Sequence, residues 1–215
     1  MAKLSLQTLP RDYRNRGLTE KNLPPNPFQL FQKWFKEALK AQTLDVTAFT
    51  LATVSVSGKP SQRTLLLKGF DSKGFVFYTN YESQKGIEIA KEKVGSMLFY
   101  WATLVRQVRI EGKIEKVSSK ESDQYFALRP RVNQISSWAS VQSRVIPGRK
   151  FFEDRMEKYE KEFNGKSVSR PPHWGGYRLL PNEFEFWFGR ANRLHDRMRY
   201  RRKANDKWFI DRLSP

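Results

Sequence analysis

Arginine side chains crowd the pair His195–Asp196 near the end of the chain. Five of them lie in one short run: Arg190, Arg193, Arg197, Arg199 and Arg201. A guanidinium group forks onto phosphate oxygens and stacks on planar rings. Aromatic residues flank this run on both sides, so it fits a planar anionic ligand better than a solvated charge run. The spacing therefore indicates a binding site for such a ligand.

A second group of polar residues lies at predicted strand ends and helix starts. Arg63 and Lys68 bracket an apolar run and, five residues apart, face opposite sides of a regular strand. The segment 83–85 opens a predicted helix, whose N-terminal amides attract phosphate. Tyr125 and Arg129 lie one helical turn apart on one face. Each residue alone is more typical of a surface or capping position, but together they indicate an anionic pocket.

The composition limits the classes of function that remain. The 215 residues carry a net charge of +18, so nucleic acid, an acidic membrane and phosphorylated small molecules all qualify as partners. The absence of cysteine excludes disulfides, iron–sulfur clusters and thiolate zinc sites, and two distant histidines predict no metal site. No apolar run is long enough to span a membrane, and residues 1–10 lack the apolar core of a signal peptide. A cytoplasmic protein is predicted.

The elements that would position these residues are mainly strands. Residues 1–27 are polar and rich in proline, which predicts an N-terminal arm before a single domain over 28–215. Period-two patterns predict strands at 47–56, 61–68, 75–80, 94–101, 104–117, 174–180, 184–188, 198–203 and 207–212. Helical spacing predicts helices at 28–39, 82–93, 118–128, 131–140 and 151–163. Strands separated by turns, with few helices between them, favour an antiparallel barrel.

Several motifs identify a family. The most specific is Glu185-Phe186-Trp187 followed by Asn192-Arg193-Leu194-His195-Asp196-Arg197. Others are Gln62 to Lys68, Phe77 to Asn80, Arg106-Gln107-Val108, Tyr125-Phe126, Arg129-Pro130-Arg131, Val141-Gln142-Ser143, Trp174-Gly175-Gly176 and Asp211 to Pro215. With these motifs in order from about Tyr13 onward, the sequence resembles the pyridoxine 5′-phosphate oxidase family.

The resemblance implies a mainly β FMN-binding split β-barrel with flanking helices. It also implies a homodimer with the flavin site at the subunit interface. The implied reaction converts pyridoxine 5′-phosphate or pyridoxamine 5′-phosphate to pyridoxal 5′-phosphate, with O2 as acceptor and H2O2 as product. FMN would be the only cofactor, and no membrane or specific nucleic acid is expected as a partner.

The resemblance also assigns residues to the two ligands. The implied FMN-binding residues are Arg63, Thr64, Leu65, Leu66, Leu67, Lys68, Tyr78, Thr79, Gln84, Lys85, Gln107, Gln142, Ser143, Trp187 and Arg197. The implied substrate-binding residues are Lys68, Tyr125, Arg129, Asn133, Arg193, Leu194 and His195, with Arg193 and His195 as catalytic residues over the substrate ring. The arm that closes over substrate would match Arg11 to Tyr13.

The sequence departs from the family pattern at four positions. Gln84 stands where an arginine usually precedes Lys85, and Asn133 replaces a serine of the substrate-phosphate site. Phe188 replaces the glutamine that normally follows Trp187, and Pro10 replaces an arginine of the arm. These departures bear on ligand affinity more than on the type of reaction.

Two alternatives stay open from the sequence. One is another split-barrel flavoprotein, either a reductase or a flavin binder, against which Tyr125, Arg129 and the 193–197 motif argue. The other is a nucleic-acid-binding protein driven by the high positive charge. The role of His195 is open as well, since it could exchange protons or be a structural histidine bonded to Asp196.

Overall fold

A computed structural model describes residues 17–41, 44–203 and 206–215. Within these residues there are five α-helices: α1 (Pro27–Lys40), α2 (Gln84–Glu92), α3 (Ser119–Ala127), α4 (Arg131–Ala139) and α5 (Arg149–Glu162). The same residues form nine strands: β1 (Ala48–Val54), β2 (Pro60–Leu66), β3 (Gly69–Asp71), β4 (Gly74–Asn80), β5 (Val94–Trp101), β6 (Arg106–Lys116), β7 (Trp174–Phe188), β8 (Asp196–Arg202) and β9 (Trp208–Leu213). Each predicted helix has its counterpart, so the helical spacing was a reliable guide.

The strands are hydrogen-bonded in the order β2-β1-β5-β6-β7-β4-β3, and β8 pairs with β7 and with β9. The hairpin of β1 and β2 pairs Thr53 with Ser61 and Leu51 with Arg63. The chain divides into two compact units. Of the described residues, the first unit comprises 17–41, 44–46, 98–110, 183–203 and 206–215, and the second comprises 47–97 and 111–182.

An aromatic cluster forms the core of the first unit. Apolar residues of α1 recur every three or four positions, so Phe31 and Trp34 fall on its buried face. The Phe31 ring packs 5.1 Å from Phe99 on β5, and Trp34 packs 5.3 Å from Phe186 on β7. Phe184, Phe186 and Phe188 in the last part of β7 are buried, as the period of two predicts, and Glu185 between them is buried as well.

The core of the second unit joins strands and helices. Phe77 on β4 packs 5.9 Å from Phe49 on β1 and 5.7 Å from Tyr177 on β7. A separate cluster of buried residues, Phe126, Ile135, Val168 and Trp174, holds α3 and α4 against the start of β7. This second cluster positions one of the candidate ligand sites described below.

Serine N-caps determine where α2 and α3 begin. The hydroxyl of Ser83 accepts a hydrogen bond from the backbone N–H of Gly86, which starts α2 at Gln84. The hydroxyl of Ser118 likewise accepts from the N–H of Glu121, as the spacing of serine and glutamate predicts.

The structure corrects the sequence-based elements in two places. Strands predicted at 174–180 and 184–188 are one continuous strand, β7, that passes through Pro181. A Cβ at Gly112 would lie 2.0 Å from the carbonyl oxygen of Leu180, so this glycine allows the close backbone approach beside the proline. The strand β3 was missed, because three residues are too few to show an alternation of apolar and polar side chains.

The predicted division into an arm over 1–27 and a single domain over 28–215 stays a prediction. Pro10 and the predicted arm residues Arg11 to Tyr13 lie outside the described residues, as does most of the predicted turn at 204–206.

Candidate functional site

The second unit contains a network of hydrogen bonds around Arg63, formed by Thr53, Ser61, Arg63, Gln84 and Glu88. We call these residues the Arg63 network. The Nη1 group of Arg63 donates to Thr53 Oγ1 at 2.5 Å, and its Nη2 group donates to Ser61 Oγ at 2.5 Å. Glu88 is 7% exposed, and its Oε2 lies 3.4 Å from Nη2 of Arg63. The guanidinium group is therefore held from several sides.

Gln84, at the start of α2, belongs to this network rather than standing apart. Its Nε2 group donates to Oε1 of Glu88 at 3.0 Å, four residues along the helix. Burial raises the pKa of Glu88, but hydrogen bonds from Ser61, Thr53 and Gln84 and the charge of Arg63 more than offset this effect and lower it. Glu88 is thus stabilised as a carboxylate.

Lys85 is the second cation near the start of α2, and it is 7% exposed. Its Nζ donates to Oε1 of Gln142 at 3.0 Å and to Oγ of Ser83 at 3.3 Å. Gln142 Oε1 also accepts from Thr79 Oγ1 at 3.3 Å. Burial lowers the pKa of Lys85 to about 8, and the positive charge of Arg63 acts in the same direction. A buried ammonium bonded to neutral groups is suited to receive an anion.

The remaining predicted flavin residues on and after β2 differ in their exposure. Strand β2 ends at Leu66, before Lys68, so the two basic residues do not share one regular strand. Leu65 is half-buried and Leu67 buried, whereas Thr64, Leu66 and Lys68 are exposed. Ser143 is exposed and has a left-handed backbone (φ 68°) next to Gln142.

A stack of planar groups lies on the other side of β4. We call Tyr78, Tyr125, Arg129 and Trp174 the Tyr78 stack. The Tyr78 ring lies 3.9 Å from that of Tyr125 and 5.5 Å from that of Trp174, nearly parallel to both. The guanidinium carbon of Arg129 lies 4.5 Å from the centre of the Trp174 ring. Burial raises the pKa of Tyr78 to about 12 and lowers that of Arg129.

Arg129 is fixed by a serine that the sequence did not single out. Its Nη1 group donates to Oγ of Ser137 at 2.6 Å. The Ser137 hydroxyl donates in turn to the carbonyl oxygen of Asn133 at 2.9 Å. Tyr125 and Arg129, predicted to share a face, do converge on Trp174, although α3 ends at Ala127. The exposed Asn133 joins this group through its backbone carbonyl.

In the first unit, a buried glutamate pairs with two arginines. Oε1 of Glu185 accepts from Nε of Arg197 at 2.7 Å, and its Oε2 lies 2.9 Å from Nη2 of Arg109. The Nη1 group of Arg197 also donates to the carbonyl oxygen of Ser214 at 2.9 Å. The hydrogen bond that Arg197 donates to the Glu185 carboxylate raises the pKa of Arg197. Arg197 is therefore tied to β7 and to the end of the chain, and Gln107 lies half-buried on β6.

The loop at 190–195 carries the predicted catalytic residues. Asn192 and Arg193 have left-handed backbones with φ of 56° and 60°. The side chains of Arg193 and Leu194 are exposed. His195 is half-buried, its ring lies 4.7 Å from that of Trp187, and its Nδ1 accepts from the backbone N–H of Arg190 at 3.1 Å. Non-glycine residues in this conformation cost about 1–3 kcal/mol each and often mark functional sites.

Asp196, the neighbour of His195, binds other groups. Its Oδ1 accepts from Nη1 of Arg212 at 2.6 Å, and its Oδ2 accepts from the backbone N–H of Leu18 at 2.8 Å. Asp196 therefore ties the segment at residues 17 and 18 to β8 and β9. Arg190 of the same run also contacts Oδ2 of Asp196, at 3.5 Å, whereas Arg199 and Arg201 both contact Asp211.

Among the described residues, no group of three or more histidine, aspartate or glutamate side chains could hold a metal ion. No helix in the described ranges is long and apolar enough to cross a membrane.

Comparison with protein families gives two matches that together span most of the chain. Residues 35–162 match the family described as pyridoxamine 5′-phosphate oxidase. Residues 174–215 match a region described as the pyridoxine 5′-phosphate oxidase C-terminal dimerisation region. The chain belongs to the pyridoxamine 5′-phosphate oxidase family. It is accordingly an oxidase by family, and the resemblance seen in the sequence is confirmed.

Individual members of the pyridoxamine 5′-phosphate oxidase family are closely similar along their whole length. A pyridoxine/pyridoxamine 5′-phosphate oxidase of Gloeothece citriformis is 51% identical over 98% of this chain and 99% of its own length. One of Cupriavidus necator is 50% identical over 98% of this chain and 99% of its own length.

Solved structures confirm the predicted fold class. PhzG from Burkholderia lata, in complex with tetrahydrophenazine-1-carboxylic acid, has a TM-score of 0.87 and 31% identity, covering 93% of this chain and 98% of its own. A pyridoxamine 5′-phosphate oxidase-related FMN-binding protein of Nostoc punctiforme has a TM-score of 0.70 and 18% identity, covering 90% and 100%, and shows the fold alone. The mainly β split barrel with flanking helices is thus confirmed.

Several residues of the candidate site were not assigned a role from the sequence. Glu88, Ser137 and Glu185 each hold a predicted ligand-binding arginine. Trp174, which appeared only within a family motif, supports Arg129. The spacing of Gln84 and Glu88 on one helix was the only local signal for any of these contacts.

Proposed function

We propose that this protein is an FMN-dependent oxidase that converts pyridoxine 5′-phosphate or pyridoxamine 5′-phosphate to pyridoxal 5′-phosphate, using O2 and releasing H2O2. The observation that carries the proposal is that the second unit contains two separate cationic sites. One is formed by Arg63 and buried Lys85, and the other by half-buried Arg129 on Trp174. Two phosphorylated ligands, cofactor and substrate, account for both sites.

The residues present fit FMN. Its phosphate would lie at Arg63 and Lys85, near the start of α2, where cationic side chains and helix N-terminal amides favour an anion. The Nζ of Lys85 donates hydrogen bonds to the neutral oxygens of Gln142 and Ser83, and a phosphate would add a charged acceptor. Bound FMN would supply a two-electron acceptor that O2 reoxidises, giving H2O2.

The substrate phosphate would bind at the Tyr78 stack. Arg129 is fixed by Ser137 and by the Trp174 ring, so little side-chain freedom is lost when it binds an anion. Tyr125 adds a hydroxyl donor, and exposed Lys68 adds a charge. Each charged hydrogen bond to phosphate contributes about 1.5–3 kcal/mol. This remote binding energy would hold the reacting carbon of the substrate in place.

Arg193 and His195 would act at the substrate ring. The exposed guanidinium of Arg193 would cover the ring and stabilise negative charge on its oxygen. The Nδ1 of His195 accepts from the backbone N–H of Arg190, which helps to orient a ring that would hold or accept a proton. Trp187, Gln107 and Arg197 would contact the flavin.

The test is chemical. Purified protein should release FMN on denaturation, and with FMN it should form equal amounts of H2O2 and pyridoxal 5′-phosphate from pyridoxamine 5′-phosphate. A reduced phenazine carboxylate serves as a second substrate, because PhzG binds a compound of this class. Turnover of the phenazine compound alone would assign the protein to that activity. A colourless protein that binds neither FMN nor substrate would exclude both.

We also propose that the protein is a homodimer with each flavin at the subunit interface. The match of residues 174–215 to a dimerisation region supports this arrangement. Mixing Arg129→Ala and Arg193→Leu chains tests it, at a pyridoxamine 5′-phosphate concentration far below the raised KM of Arg129→Ala. If each site takes these two residues from opposite subunits, random pairing restores about one quarter of the sites. An active monomer in sedimentation would exclude the shared site.

A further inference from the structure

Glu88 is a buried acid beside two cations that are proposed to bind phosphate. It is 7% exposed and lies on the inner face of α2. A carboxylate near a phosphate site repels the phosphate by Coulomb interaction. The position of Glu88 therefore needs a physical explanation. The contacts of its two oxygens supply one.

Both oxygens of Glu88 are held by donors. Oε2 accepts from Thr53 Oγ1 at 2.5 Å and from Ser61 Oγ at 2.6 Å. Oε1 accepts from Nε2 of Gln84 at 3.0 Å. The register of β1 and β2 places Thr53 directly opposite Ser61, so the two hydroxyls reach the same carboxylate oxygen. The carboxylate is thereby fixed in one orientation.

The two hydroxyls pass this orientation on to Arg63. A hydroxyl has one hydrogen and two lone pairs, so a hydroxyl that donates to Glu88 must present a lone pair to its other neighbour. The closer neighbour is Arg63 in both cases, with Nη1 2.5 Å from Thr53 Oγ1 and Nη2 2.5 Å from Ser61 Oγ, whereas the two hydroxyl oxygens lie 3.3 Å from each other. Without the carboxylate, either hydroxyl could rotate and turn its hydrogen toward the guanidinium group.

We infer that Glu88 is a positioning residue, which acts through Thr53 and Ser61 to orient Arg63 toward the phosphate of FMN. The inference rests on the proposed function. Arg63 uses Nη1 and Nη2 for its contacts with the two hydroxyls, with the carbonyl oxygen of Leu51 and, at 3.4 Å, with Glu88 itself. Among the described residues, these contacts leave its Nε–H group to a ligand. Gln84 takes part indirectly, because it holds the second oxygen of Glu88.

The direction in which Glu88→Gln changes FMN affinity distinguishes a positioning role from a purely electrostatic one. Glu88→Gln removes a negative charge, so a purely electrostatic role predicts tighter FMN binding. A positioning role predicts weaker binding, because the amide cannot accept from two hydroxyls and Gln84 as the carboxylate does. We expect about a tenfold loss of FMN affinity, the size of one charged hydrogen bond.

The experiment is titration of apoprotein, by flavin fluorescence, with FMN and with riboflavin, which lacks the phosphate. Glu88→Gln should weaken FMN and leave riboflavin unchanged, so the ratio of the two affinities falls. Glu92→Gln, the same charge change at the other end of α2, serves as the matched control and should leave both affinities unchanged. In an Arg63→Ala background, Glu88→Gln should have no further effect.

Thr53→Val is a second test of the same inference, to be used if Glu88→Gln does not fold. Valine matches threonine in shape on β1 and removes only the hydroxyl, so FMN affinity should fall about threefold to tenfold with riboflavin unchanged. Equal or tighter FMN binding by folded Glu88→Gln overturns the inference, as does an equal loss for riboflavin. Wild-type protein that binds no FMN overturns the proposed function, and this inference with it.

Discussion

The Arg63 network and the loop at 190–195 hold their cations in opposite ways. In the network, buried Glu88 and two hydroxyls fix the guanidinium of Arg63 before any ligand binds. In the loop, Arg193 is exposed on a left-handed backbone. The first arrangement suits a cofactor that stays bound, since the cost of ordering the cation is met in folding. The second suits a residue that must let substrate enter and product leave.

The largest expected effect comes from the loop. Arg193→Leu should lower kcat about a hundredfold to a thousandfold, because a charge that stabilises the transition state is lost. FMN affinity and the thermal unfolding midpoint should stay unchanged, since the side chain is exposed. Arg149→Leu, an exposed arginine at the start of α5, is the control for loss of one positive charge. Loss of FMN with normal turnover in FMN-saturated enzyme would place Arg193 at the cofactor instead.

The Tyr78 stack should show an intermediate effect on substrate binding. Arg129→Ala should raise KM for pyridoxamine 5′-phosphate about tenfold to a hundredfold, the loss of one charged hydrogen bond or slightly more. Arg129→Lys should raise KM less than Arg129→Ala does but should not restore the wild-type value. Lysine lacks the planar guanidinium group that contacts both Ser137 and the Trp174 ring. An unchanged KM in a folded Arg129→Ala variant would remove the substrate phosphate from this position.

Lys85 makes the cofactor site sensitive to pH. Burial lowers its pKa to about 8, so the ammonium group that is proposed to bind phosphate is lost as the pH rises through that value. FMN affinity should fall about tenfold between pH 7 and pH 9. In Lys85→Arg, whose charge does not titrate in this range, the fall should disappear. A pH-independent affinity in the wild type would mean that Lys85 does not contact the phosphate.

The smallest effect is expected at Gln84. An arginine there could donate a charged hydrogen bond to the FMN phosphate, worth about fivefold to tenfold in affinity. Glu88 lies four residues along the same helix and already accepts from Gln84, so it would compete for the new guanidinium. Gln84→Arg should therefore tighten FMN binding by less than about fivefold, with the gain shrinking at high salt. A tenfold or larger gain in FMN affinity would show that the new arginine binds the phosphate and does not pair with Glu88.

The sequence determined much of the local structure. Apolar spacing predicted a helix at 28–39, close to α1 (Pro27–Lys40), and the spacing of Ser118 and Glu121 marked the start of α3. These signals depend on residues within a few positions of one another, so they can be read along the chain. The motif around His195 was specific enough to indicate the family, and the family comparison confirmed it.

Only the tertiary structure decided which groups hold the candidate ligand-binding residues. Glu88 meets Thr53 and Ser61 because strand pairing and the packing of α2 bring together residues far apart in sequence. Asp196 binds Leu18 and Arg212, although His195 is its neighbour in the chain. Successive side chains of a strand point to opposite faces of the sheet. Two neighbours in the sequence therefore contact different elements, which only the tertiary structure brings close.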